Sequence, residues 1–262
     1  MEPVRNSFQN NTAWIQWKFM IEERKKQHFV SQSYLKFFSL EEKGNNVCCF
    51  DKENAKSFIT SIRDICREIG FYENEHKKKK PIEEAFSVAE RESSILFLKV
   101  IEAEDLSVLD IFEFSRSLTC LLLFKQRTKK RRNIVSDARK EWMKRINRRF
   151  TDWQVVPKHD DWERSEHLLS MIETHTEESV ILCRNNWELI INKTQIPFWT
   201  SDDPIVQQLV NNDKRFPESY VKNYFPITSR LLIHSEPLIS NEVRLFRTET
   251  KDERAISNMN RL

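Results

Sequence analysis

The residues able to do chemistry fall in four separated stretches. The first, His28-Phe29-Val30-Ser31-Gln32-Ser33-Tyr34-Leu35-Lys36-Phe37-Phe38-Ser39, sets His28 and Gln32 in an apolar and aromatic surround. Four residues apart, they would share one face of a helix. The imidazole suits a general base or a metal ligand, and the amide could orient water or substrate. The rival reading is a buried histidine satisfied by backbone groups.

The second stretch is Ser201-Asp202-Asp203-Pro204, behind the apolar run Ile196 to Trp199. Carboxylates at a strand end suit metal binding or general-base work, and of two adjacent Asp residues only one readily faces a site, here Asp202. The same four residues also spell a turn that caps a helix over 205–210. Third, Glu83 and Glu90 lie seven apart, on one helix face bordering Phe86. Joined to Asp202 and His28 they would form a hard-cation site for Mg²⁺ or Mn²⁺, with Asp202 and Glu83 as ligands. Solvated rim charges are the alternative. Fourth, Arg127 ends an apolar helix. It could clamp phosphate or carboxylate, or simply complete the helix dipole.

Several chemistries are excluded. With glycine at Gly44 and Gly70 alone, neither GxGxxG nor GxxxxGK[ST] can be written, so a nucleotide cofactor of Rossmann or P-loop type is out. A GxSxG elbow is equally impossible. Cys48, Cys49, Cys66, Cys120 and Cys183 are odd in number and hold no CxxC pair, so they read as incidental thiols in a reducing cytoplasm. The first eleven residues lack the apolar run of a signal peptide, and no apolar stretch approaches the ~20 residues of a membrane span. These observations point to a cytoplasmic protein with no membrane partner.

Net charge is +3 but unevenly spread. Lys125 to Arg149 carries twelve Lys and Arg against Asp137 and Glu141, a local charge of +10 that leaves −7 elsewhere. That asymmetry is the footprint of a phosphate-backbone contact, so RNA or DNA is the expected partner through residues 125–149. Lys129, Lys130, Arg131 and Arg132, with Arg127 and Ser201, are the candidate substrate-binding residues, and Trp142 and Phe150 could stack on bases. A solvated helix is the simpler reading of the same charges.

The elements that must position these groups follow from periodicity. Trp14, Trp17 and Ile21 predict a helix over 12–27, an N-terminal extension spanning 1–27. Val47 to Phe50 and Ser57 to Ile62 read as strands. Helices are expected over 82–104, 106–124 and 130–149, the second central to the core through Leu118 to Phe124, and a shorter one over 165–178. Strands are expected at 180–182, 187–191, 196–199, 230–234 and 243–246, with a hairpin turn at Asn192-Lys193. The fold class is α+β and mostly helical: one integrated domain over 28–262, with a helical body packed against a small antiparallel or mixed sheet.

In this order the motifs resemble the bacterial family catalogued as domain of unknown function 4238. The matching residues are His28-Phe29-Val30-x-Gln32-x-Tyr34-Leu35, closed by Phe37 or Phe38, then Phe50-Asp51-Lys52, and Phe71-Tyr72 before Ile82-Glu83. Glu90, Gln126-Arg127-Thr128 and Phe198-x-x-Ser201-Asp202-Asp203-Pro204-Ile205-Val206 with Pro226 complete the match, over roughly residues 28–260. The chain departs from the family pattern at Asp203, where Asn is usual, and at Ser31, where Pro is usual. It also stops at Leu262, where relatives continue past an Asn-containing helix, so the resemblance implies a shortened C-terminus. It implies a shared fold and constellation, and no established reaction.

The expected function is a metal-dependent nuclease or other phosphodiester hydrolase built on His28, Gln32, Asp202 and Glu83 or Glu90, with Arg127 holding phosphate. The alternatives are a non-catalytic nucleic-acid-binding or interaction module and a toxin or phage-defence effector.

Overall fold

The apolar run Leu118 to Phe124 forms the middle of helix α3 (Ile111–Gln126), where Phe114, Leu118, Leu121, Leu122 and Phe124 are buried. The structure is a computed structural model that describes residues 26–41, 44–72, 80–149, 167, 182, 184–216, 218–238 and 243–262, without the side chains of 80–85. The helix expected over 12–27 lies outside those residues except for Lys26 and Gln27, which are extended and not helical. Of the helix expected over 165–178 only His167 is described, and it is helical. Of the strand expected at 180–182 only Leu182 is described, and it is helical, not extended.

Helix α2 (Lys80–Ala103) runs antiparallel to α3: Lys99 pairs with Glu113 at one end, and the Cys120 thiol lies 3.5 Å from the Ala89 carbonyl at the other. The helix expected over 106–124 is split. Asp105 caps a single 3-10 turn at Leu106–Val108, and Asp110 then caps α3 in a reciprocal box with Glu113. Short Asp side chains accept backbone N–H groups better at such starts than inside a helix. Helix α4 (Lys129–Arg149) follows at once, its entry fixed by the Thr128 hydroxyl accepting from the Arg131 N–H at 3.2 Å.

Strands β1 (Lys26–His28) and β4 (Arg67–Ile69) pair antiparallel. Strands β2 (Asn46–Asp51) and β3 (Lys56–Ser61), close to the two strands expected there, pair antiparallel as a hairpin. Between β1 and β2 the chain makes helix α1 (Gln32–Leu35) and a 3-10 turn. The remaining strands are β5 (Asn185–Asn192), β6 (Val206–Val210), β7 (Tyr220–Pro226), β8 (Leu231–Pro237) and β9 (Leu245–Thr250). They form one sheet in the order β6-β7-β8-β5-β9, antiparallel except for the parallel β5–β9 pair. One face of the sheet, with Trp187, Leu189, Ile191, Phe225 and Ile233, packs on α2 and α3. Phe114 meets Trp187 edge-on and Phe97 meets Phe225, at centroid distances of 5.7 and 5.6 Å. On the other face Ile190 and Leu232 pack with Phe198 and with Ile256 of helix α5 (Glu253–Met259).

The class is α+β, but the expectation of a mostly helical chain is overturned. Strand makes up 28% against 42% helix, in a five-stranded sheet and four further strands. Two segments depart from the expected elements in opposite directions. Residues 205–210 form strand β6 paired with β7, not a helix: beyond Pro204 the residues alternate in exposure, as a half-covered strand requires. Conversely, 196–199 joins no ladder, and Asn192-Lys193 is no hairpin turn. The Asn192 side chain instead bonds Thr194 and the Ile196 carbonyl, folding 192–196 into a loop.

Candidate functional site

His28 ends β1 and Gln32 opens α1, so the two do not share a helix. The turn at Val30-Ser31 still brings them together, Gln32 Nε2 lying 3.2 Å from His28 Nδ1. With the amide donating, Nδ1 accepts and the neutral ring carries its proton on Nε2. That nitrogen is buried and makes no well-formed hydrogen bond among the described residues, though the backbone of Ile62 and Arg63 lies near enough to favour the protonated ring. Burial is the largest influence on the ring and holds its pKa below the ordinary histidine value.

Behind this pair lies Arg127, 5% exposed. Its Nε donates to the Tyr72 hydroxyl at 2.8 Å, Nη1 to Glu90 at 2.5 Å and Nη2 to the His28 carbonyl at 2.9 Å. The Phe86 ring lies under the guanidinium, 4.4 Å from its centre. The cation expected to hold phosphate is thus spent inside the protein, tying β1 to α2 and α3. Tyr72 is itself held by Gln27, whose Oε1 accepts the Tyr72 N–H at 2.6 Å.

The basic run beyond it is also largely committed. Lys129 and Arg132 both pair with Glu68 of β4, at 3.0 and 2.8 Å, and Arg132 also lies over the Phe71 ring. Glu68 is partly buried, which would raise its pKa; the two cations outweigh this and hold it below the usual range. Arg131 donates to the buried Gln126 side chain at 2.8 Å, and Lys130 meets Asp203 at 2.7 Å. Farther along α4, Trp142 is half exposed with the Arg139 guanidinium over its ring at 4.7 Å. Lys144 and Arg145 lean toward Glu141 at 3.8 Å, and Arg148 and Arg149 are exposed.

Ser201 closes its own turn: its hydroxyl donates to the Asp203 carbonyl at 2.8 Å and accepts the Asp203 N–H at 3.1 Å. Asp202 is exposed. Its charge, after burial, helps push the Cys66 thiol up to about 12. Cys66 adjoins the first motif, its carbonyl accepting the Phe29 N–H at 2.9 Å, and holds a left-handed φ of 51°. The two motifs are joined most directly through Tyr34, whose hydroxyl donates to the Pro226 carbonyl and meets Thr200 Oγ1, each at 2.7 Å.

The structure therefore connects His28, Gln32, Glu90 and Arg127 in one network and brings the charge of Asp202 within electrostatic reach of Cys66, with no bond between Asp202 and His28 among the described residues. No three His, Cys, Asp or Glu residues are grouped to hold a metal ion among the described residues, and the Glu83 side chain lies outside them. Glu68 and Thr200 escape sequence reasoning because single polar residues in short segments leave no periodic signal, and Tyr72 enters it only within the Phe71-Tyr72 motif, with no role assigned. His167, buried with Nε2 2.8 Å from the Gln126 carbonyl, escapes it likewise.

No helix among the described residues is long and apolar enough to cross a membrane. No curated protein and no solved structure matches the chain. The family that does match spans residues 26–262 and so takes in the His28, Arg127 and Ser201-Asp202 motifs together. By that match the chain belongs to the family described as Protein of unknown function (DUF4238).

Proposed function

We propose that this protein binds nucleic acid along the distal half of α4. The observation that carries the reading is a division of labour within one basic helix. Lys129, Lys130, Arg131 and Arg132 dock the helix onto Glu68, Asp203 and Gln126, whereas Lys144, Arg145, Arg148 and Arg149 stand on its exposed side. A rigidly seated row of cations attracts phosphates without reading sequence, so binding should be general and salt-dependent. Fluorescence anisotropy with labelled RNA and DNA over a salt series tests it. The expected result is affinity that falls steeply with salt and is lost in Arg145→Glu/Arg148→Glu/Arg149→Glu. Affinity independent of salt, or an unaffected triple variant, overturns it.

A second reading is metal-dependent phosphodiester hydrolysis, with His28 and Gln32 orienting water, Asp202 as the metal-facing carboxylate and Glu83 or Glu90 completing the centre. It is favoured by the Tyr34–Thr200 bond, which holds the His28 and Asp202 segments as neighbours. Purified protein should then degrade RNA or DNA with Mg²⁺ or Mn²⁺ and not without them. Full activity in His28→Ala and Asp202→Ala would dispose of the assignment.

A further inference from the structure

Helix α2 buries Leu96, Phe97 and Val100 and turns a second apolar row outward, with Ile95 53% and Leu98 44% exposed. Arg91 and Glu102 flank that row and are also exposed. Neither has an ion-pair or hydrogen-bond partner through its side chain among the described residues. From Arg91 to Glu102 is eleven residues, about three helical turns and about 16 Å, so the two charges and the two apolar residues share one face.

The order along this face is charge-palindromic. Arg91 lies as far before the midpoint of Ile95 and Leu98 as Glu102 lies after it. Turned end for end about that midpoint, the face meets its own complement: Arg91 opposes Glu102, and Ile95 opposes Leu98. A two-fold interface demands this self-complementarity, because residue i must suit residue j in both directions.

The surroundings extend the match. The Lys99–Glu113 pair sets the first turn of α3 beside the last turns of α2, and Phe112 there is 76% exposed. Val88, 44% exposed, lies at the opposite end of the α2 row. Exposed apolar residues thus border the row toward both of its ends.

We infer that the outward face of α2 is the interface of an antiparallel homodimer, two copies of this chain related by a two-fold axis between Ile95 and Leu98. The inference is independent of nucleic-acid binding, which uses α4.

Sedimentation equilibrium of the purified full chain over a range of concentrations, with circular dichroism as the fold control, tests it. The wild type should populate a dimer, and Ile95→Glu should weaken it about tenfold or more, with an unchanged helical spectrum. Arg91→Glu and Glu102→Arg should each weaken the dimer. The double variant Arg91→Glu/Glu102→Arg, which exchanges the charges, should restore it, something a merely damaged surface cannot do. A wild type that stays monomeric, a dimer indifferent to Ile95→Glu, or a double variant no tighter than either single one overturns the inference.

Discussion

The Tyr34 hydroxyl stands 2.7 Å from both Thr200 Oγ1 and the Pro226 carbonyl, joining segments more than 160 residues apart. Its ring stacks on Phe225 at 5.1 Å, and the residue is 1% exposed. Tyr34→Phe keeps the stacking and strands a buried carbonyl, so it should cost about 1–3 kcal/mol in urea unfolding. Thr200→Val, which leaves the carbonyl satisfied, should cost less. Equal stability of Tyr34→Phe and wild type would mean that the hydroxyl ties nothing.

Arg127 satisfies a carboxylate, a phenol and a carbonyl from one buried guanidinium. Arg127→Met leaves Glu90 uncompensated and should destabilise the fold by about 3–5 kcal/mol. Adding Glu90→Gln should recover part of that loss. A variant that unfolds like wild type but binds phosphate ligands more weakly would return Arg127 to the role of a clamp.

Stability should fall as the solution is acidified from neutral. Burial depresses the pKa of His28, and it is the largest of the influences that take His167 down to about 4. The unfolded chain, with imidazoles near the ordinary ~6.5, therefore takes up protons first. The stability tied to the neutral rings is complete above about pH 6.5 and drains away as pH falls through the folded values. For His167 the loss between pH 7 and 5 is about 2 kcal/mol, in a window above most of the carboxylate titration. Unfolding midpoints across that window should fall in the wild type and fall less in His167→Gln.

The two halves of α4 should respond oppositely to charge reversal. Arg132→Glu confronts Glu68 with a like charge and should lower the melting temperature. Arg148→Glu/Arg149→Glu should leave stability within about 0.5 kcal/mol of wild type. It should instead flatten the salt dependence of nucleic-acid affinity, by about one unit of log–log slope for each phosphate no longer neutralised. If both variants lower affinity while melting alike, the division is wrong.

Much of the helical layer was legible in the chain because its signals are local. Leu118 to Phe124 is apolar enough to demand burial, and the 3.6-residue spacing over 82–104 and 130–149 leaves one interpretation. The strands at 46–51 and 56–61 were legible too, though not their pairing. What failed depends on partners remote in sequence. Strands β6 and β7 are half exposed and polar on one face, so their pairing, not their composition, makes them strands. The three-residue strands β1 and β4 are too short for any period to register.

At the site, the residue types were readable but their allegiances were not. Arg127, Arg132 and Lys130 stood out as cations; that carboxylates at positions 90, 68 and 203 neutralise them could be seen only in three dimensions. His28 and Gln32 do meet, though through a turn and not along a helix.

The strand order has a consequence for biosynthesis. β5, carrying Trp187, Leu189, Ile190 and Ile191, lies between β8 and β9, and both arrive after it from the ribosome. While a nascent chain still lacks residues 231–250, that apolar strand shows bare hydrogen-bonding edges to water. Completion of the sheet therefore waits on synthesis of residues 231–250, when β9 pairs in parallel along the remaining edge. Until then its unpaired edges are open templates for pairing with other strands.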